Sequence, residues 1–227
     1  MKKTVWFSLV LILSVAMGIT GLAWAQIKVY EPVVTPKTVF ISSQAYVGNL
    51  GGLSGADQLC QQLASRAGLT GTYKAWLADT IQGTPVTRWQ PSAGPYRLRN
   101  GATVANSWNE IITTAKILTP INLDEFGRQV SLPPHDPFSY IWVWTGMHTT
   151  KDNTGQVVWT ASTTANCGQW RRGSAIIDTA VNLPRLIGLC GAAGGWNLGS
   201  NYTAGWTALY ENIDCFRPDG HIYCFQQ

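Results

Sequence analysis

Short apolar runs separated by glycine- and asparagine-rich turns pattern this chain, and they predict many small elements in place of a few long ones. Lys37–Ser42 is β-branched and aromatic and predicts a first strand. Asn49–Leu53 reads as a turn. Ser54 or Gly55 then caps a helix from Ala56 to Ala67, with Leu59, Leu63 and Ala67 at helical spacing on one face. Gly68 ends it, because glycine tolerates the left-handed conformation past a helix C-terminus. Tyr73–Leu77 follows as a strand or short buried segment. Gly94–Gly101 contains Asn100-Gly101, a strong hairpin signal. Trp108–Ile112 predicts a helical turn, while Ile141–Gly146 and Val157–Trp159 read as strands. Gly188–Gly205 reads as a long loop carrying Cys190, Trp196 and Tyr202, and Ile222–Phe225 as a closing strand.

Ahead of these elements, Lys2 and Lys3 precede an uncharged apolar run from Val5 to Ala25 that ends in the small-x-small site Ala23-Trp24-Ala25. The pattern predicts a signal peptide over residues 1–25, a leader over 26–36 and one domain over 37–227. The run is long enough to anchor in a bilayer if uncut, the one case in which a membrane is a partner. The expected product is a secreted, periplasmic or cell-surface protein of bacterial type. Exported cysteines pair, and the chain has five. Five choices of the odd cysteine, each with three pairings of the other four, leave fifteen arrangements.

Charge changes the picture little. Of 16 Lys and Arg residues, loss of Lys2 and Lys3 leaves 14 against 12 acids, a net charge of +2 that excludes nucleic acid as an expected partner. Few charges with abundant glycine suit a rigid, disulfide-stapled extracellular domain.

Three spaced motifs are more specific. Gly55-Ala56-Asp57, Cys60 and Ala67-Gly68-Leu69-Thr70-Gly71-Thr72-Tyr73-Lys74-Ala75-Trp76-Leu77 together resemble a series in the endostatin domain of collagens. Val143-Trp144-Thr145-Gly146 with Cys167-Gly168-Gln169-Trp170-Arg171 is a second match, and Cys215 with Ile222-Tyr223-Cys224 a third. The chain also resembles a family of secreted bacterial domains of unknown function, and both relate to the C-type lectin-like fold. The resemblance covers Val39 to Gln227. It implies a single compact α+β domain, endostatin-like or C-type lectin-like, with a mixed, mostly antiparallel sheet, few helices and long loops. It also implies nested bridges, Cys60–Cys224 and Cys167–Cys215, with Cys190 unpaired or intermolecular.

The resemblance does not bring an activity with it. C-type lectins that bind sugar through calcium use Glu-Pro-Asn or Gln-Pro-Asp followed by Trp-Asn-Asp. Here Trp108-Asn109-Glu110 lies too early and Arg217-Pro218-Asp219 lacks the first ligand. Asn122, Asp124 and Glu125 put three oxygen-bearing side chains into four positions, a candidate structural calcium site. The alternative is an Asp turn whose side chains accept from backbone amides. No other cofactor is implied. The same carboxylates are the candidates for an envelope hydrolase, although adjacency does not establish a cleft.

His135, His148 and His221 carry no metal spacing, and no nucleophile elbow, P-loop or His-Glu-x-x-His sequence occurs. Trp76, Trp144 and Trp170 read as core. Trp196, Asn197, Asn201, Tyr202 and Trp206 combine aromatic faces with nearby amides, suited to stack on a sugar ring or anchor a protein. Arg97, Arg99, Arg171, Arg172 and Arg185 could form a basic patch of the kind endostatin uses for heparin, with solvated surface as the alternative. The expected function is a secreted, non-catalytic module recognising an extracellular glycan or protein. The alternative is a structural subunit of an envelope or filament assembly, self-associating through the leader or Cys190.

Overall fold

The computed structural model describes residues 34–131, 141–172, 187–193, 206–207 and 210–227, with 187–193 and 210–214 described by their backbone. Residues 1–33, which hold the expected signal peptide and most of the expected leader, lie outside the described residues. Strand β1 (Lys37–Ile41) forms where its β-branched run predicts it. It pairs antiparallel with β10 (Tyr223–Gln226), Phe40 facing Cys224, and parallel with β3 (Tyr96–Arg97). Strand β2 (Tyr73–Ala75) adds antiparallel to β10, and β4 (Thr103–Ala105) antiparallel to β3. The order β2-β10-β1-β3-β4 therefore inserts the last strand beside the first.

A second sheet has the antiparallel order β5 (Ile141–Trp144), β8 (Ile187–Ala193), β9 (Tyr210–Asp214). Strands β6 (Met147–Lys151) and β7 (Val157–Ala161) form a hairpin. Short helices α2 (Pro85–Arg88), α3 (Trp108–Thr114) and α4 (Cys167–Trp170) accompany one longer helix, α1 (Gly52–Arg66). The fold is α+β with a mixed, mostly antiparallel sheet, as expected. Residues 34–227 belong to one compact unit.

Alternation along the strands divides the core. Successive side chains of a strand face opposite ways. Val39, Ile41, Tyr223 and Phe225 therefore join one buried cluster, built around Trp76. Phe40 and Cys224 join another, beneath α1. The main sheet is covered on both faces.

Helix α1 departs from expectation at its start. Neither Ser54 nor Gly55 caps it. Gly51, at φ 76° and ψ 25°, turns the chain into the helix by its left-handed backbone, with no side-chain cap, and α1 begins four residues early. Its buried face is Leu53, Ala56, Cys60, Leu63 and Ala64, so the stripe is rotated toward Cys60 and Leu59 sits only partly buried at its margin. Its end matches expectation: Gly68 is left-handed at φ 69° and donates to Ser65 O, while Leu69 N returns to Ala64 O.

Two other regions differ from the sequence reading. Asn100-Gly101 does lie in a hairpin, but as part of a three-residue connection closed by Leu98 N to Ala102 O, with Gly101 at φ 87°. Strand β8 occupies the beginning of the stretch read as a loop. Ala193, Ala192 and Gly191 stand in register with Ile141, Trp142 and Val143, and Cys190 with Trp144. Small residues are weak strand formers alone, and here pairing with a strong strand supplies what propensity lacks. Residues 194–205 lie outside the described residues.

Candidate functional site

Both implied disulfides are present. Cys60–Cys224 joins α1 to β10 with Cα atoms 5.4 Å apart across 164 positions, because the insertion of β10 beside β2 carries Cys224 under the helix. Cys167–Cys215 closes a loop of 48 positions, with Cα atoms 5.5 Å apart. Cys167 opens α4, whose residues Cys167, Gly168, Gln169 and Trp170 have φ of 49°, 60°, 61° and 60°. Such a left-handed turn costs about 1–2 kcal/mol per non-glycine residue. The bridge anchors it at one end. At the other, Trp170 is fully buried and its indole N–H donates to Ala78 O at 2.7 Å, while Asn166 Oδ1 accepts from Gln169 N.

The carboxylate candidates have separate protein partners. Asp124 Oδ1 accepts from the amides of Phe126 and Arg128, and Oδ2 lies 2.9 Å from both Nε and Nη2 of Arg128. Glu125, 1% exposed, accepts from the amide and hydroxyl of Ser43. Asn122 is half-buried and uses its backbone to pair with Val130. This is the geometry of an Asp turn tied to the end of β1. Among the described residues, no group of three or more His, Cys, Asp or Glu side chains has a metal-holding arrangement.

The aromatic candidates divide. Trp196, Asn197, Asn201 and Tyr202 lie outside the described residues. Trp206 is 6% exposed, its ring centroid 5.0 Å from that of Trp76 and its N–H donating to Ala115 O. It is a core residue and offers no open stacking face. Trp76, Trp144 and Trp170 are buried as read. Cys190 is placed on β8 by its backbone. Arg185 and His135 lie outside the described residues. Of the arginine candidates, Arg171 packs over Gly52 at one end of α1, while Arg99 Nη1 reaches Ala67 O at the other.

His221 is 8% exposed, and its ring Nδ1–H donates to Ser42 O at 2.7 Å. Its backbone pairs with Trp142 O and Trp144 N of β5. Burial lowers its pKa, against the raising influence of the Ser42 hydrogen bond and the nearby Asp219 and Glu125 carboxylates. Asp57, in the first matched motif, is structural too. Its Oδ1 accepts from Ala75 N, and Oδ2 lies 3.6 Å from Arg88 Nη1, tying α1 to β2 and α2. Burial raises the Asp57 pKa, and burial lowers that of Arg88.

One open feature was not anticipated. A groove of about 460 Å³ runs between α1 and the segment 46–51. Gln58, Leu59 and Gln62 line the helix side, and Tyr46, Asn49 and Leu50 the other. The second wall is pinned by Tyr46 N to Gly220 O, Gly48 N to Cys215 O and Leu50 N to Trp170 O, the first two at 2.6 Å and the last at 2.9 Å. Trp144 Nε1 also donates to Tyr46 O. The Tyr46 hydroxyl is shielded from solvent without a hydrogen-bond partner among the described residues. Burial raises its pKa, while Arg66 and Glu125 act on it with opposite signs. The sequence signal for this groove was the i, i+4 pair Gln58 and Gln62 beside Leu59 on the outward side of α1.

No protein-family model and no curated protein matches the chain. Among the described residues, no helix is long and apolar enough to cross a membrane.

Proposed function

We propose that this chain is a secreted, noncovalent binding module of the endostatin-like or C-type lectin-like type, recognising a glycan or a protein outside the cell. One observation carries the reading: two disulfides tie α1, α4, Cys215 and β10 into one frame, while connections 132–140 and 194–209 attach at the same end of the second sheet, where Ile141 pairs with Ala193. Loops mounted on a rigid frame are where recognition residues concentrate. The engagement of Asp124 by Arg128 and of Glu125 by Ser43 favours binding over hydrolysis. Trp196, Asn197, Asn201 and Tyr202 belong to the second connection and are the proposed contacts there.

The test is a glycan array and an envelope pull-down with the purified chain, each run with calcium and with a chelator. The double variant Trp196→Ala, Tyr202→Ala is expected to bind the recovered ligand at least about tenfold more weakly, the loss typical of an aromatic anchor. Unchanged binding removes the 194–209 connection from the reading. Loss of binding in chelator establishes a calcium requirement, for which Asn122, Asp124 and Glu125 are the residues to substitute. Failure to recover any ligand, with concentration-dependent self-association, favours a structural subunit.

A further inference from the structure

We propose that Cys167–Cys215 is a redox-sensitive latch. Its reduction by an external dithiol lets the left-handed turn α4 relax and frees the strap of residues 46–50 packed over the bridge. Cys60–Cys224 stays closed meanwhile. The inference goes beyond the binding reading and does not depend on what the module binds.

Backbone conformation separates the two bridges. Among the described residues, the non-glycine positions with left-handed φ are Ala115, Cys167, Gln169 and Trp170, three of them in α4. L residues resist that region, and a run of them persists only where the surroundings force it. The bridge fixes Cys167, the buried indole of Trp170 donates to Ala78 O, and the Gln169 carboxamide exchanges two hydrogen bonds with Thr80. Cys60 and Cys224 lie instead within regular α1 and β10, neither of which holds a non-glycine residue of this kind. Reduction therefore relieves backbone strain at one bridge only, and a bridge that holds strain is the more easily reduced.

The strap covers the same bridge. Gly48 is buried, and a Cβ added there would overlap Cys167 Sγ and come within 2.8 Å of Cys167 Cβ. Its φ lies outside the left-handed region, so contact with the bridge, and not backbone conformation, disfavours a side chain. The strap's hydrogen bonds end on both halves of the latch. Gly48 N donates to Cys215 O at 2.6 Å, and Leu50 N to Trp170 O at 2.9 Å. Parting the halves removes the surface on which the strap is fixed. Both cysteines are buried, so attack on the bridge waits for the strap to lift.

The exchange balances with the dithiol as the sole reductant. One of its thiolates attacks Cys167 Sγ, the S–S bond breaks, and Cys215 leaves as a thiolate. The second thiolate attacks the mixed disulfide and releases Cys167. Two electrons pass to the bridge, the two protons end on the cysteines, and the dithiol becomes a disulfide.

The experiment equilibrates the folded chain in mixtures of reduced and oxidised dithiothreitol, alkylates free thiols and identifies them by peptide mass. Cys167 and Cys215 are expected to open at a reduced-to-oxidised ratio at least about tenfold below that needed for Cys60 and Cys224, the equivalent of relieving one left-handed residue. Hydrogen exchange in the singly reduced chain should quicken at the amides of Gly48, Leu50 and Thr80, and reoxidation should slow it again. The double variant Cys167→Ser, Cys215→Ser should show the same exchange pattern. Gly48→Ala should speed reduction of Cys167–Cys215 severalfold and leave the rate at Cys60–Cys224 unaltered. Opening of Cys60–Cys224 first, or of both bridges together, overturns the proposal. So does unchanged exchange at those three amides once Cys167–Cys215 is open, or a Gly48→Ala chain reduced no faster than the unsubstituted one.

Discussion

The two faces of the main sheet are held by different means. On one, Trp76 is ringed by Trp89, Trp108, Trp159, Trp206 and Phe225 at centroid distances of 5.4, 5.9, 5.6, 5.0 and 5.1 Å. This buried cluster contains no cysteine among its described residues. On the other face, α1 lies against the sheet through Ala56, Cys60, Leu63 and Ala64, and all four disulfide cysteines fall in that cluster. Large rings supply burial and edge-to-face contacts. Small helix residues bring backbones close and bury less area each, and there the bridges add stability by a model-dependent, largely chain-entropic route. The groove between α1 and residues 46–51 borders the cross-linked face.

Removing the centre of the aromatic face should have the largest effect. Trp76→Ala is expected to lower unfolding free energy by about 3–5 kcal/mol in urea titrations. A loss under about 1 kcal/mol would break the claim that burial holds this face. Next, the double variant Cys60→Ser, Cys224→Ser should lose about 2–4 kcal/mol. Hydrogen exchange in that variant should quicken in α1 before it quickens around Trp76; uniform quickening would show the two faces to be one unit.

The smallest effect should appear at the seam. His221 joins the end of β1 to β5, and burial holds its folded pKa below the unfolded value of about 6.5. Between the two values the unfolded chain binds more protons, so His221's contribution is complete above about pH 6.5 and is lost as pH falls through the folded pKa. Melting temperatures should therefore fall from pH 8 to pH 5, and His221→Asn should reduce that slope. An unchanged slope would place the acid sensitivity elsewhere.

Much of the local structure was legible in the chain. The β-branched run of β1, the glycine after α1 and the Asn100-Gly101 turn each act within a few residues, so sequence near them suffices. α3 was legible for the same reason: Ser107 Oγ accepts from Glu110 N at its start. The start of α1 was missed because Gly51 acts through its backbone alone. β8 was missed because its glycine and alanines form a strand only beside β5. Trp206 reads from sequence as a candidate ligand-stacking residue, because a tryptophan beside a glycine-rich stretch looks the same whether its ring turns in or out. Only the neighbouring rings and Ala115 O show that it turns in.

The sequence by itself determined where the chain turns, which residues alternate along its strands, and that five cysteines cannot all pair within one chain. The count left fifteen arrangements open, and the resemblance implied one of them. Tertiary structure decided that Cys60 meets Cys224, since β10 must first lie between β2 and β1 to bring the two together across 164 positions. It also decided that Asp124 and Glu125 serve a turn and a strand end, and that Tyr46 and Gln62 face one groove. Each of these depends on contacts between segments remote in sequence, and local propensity carries no term for them.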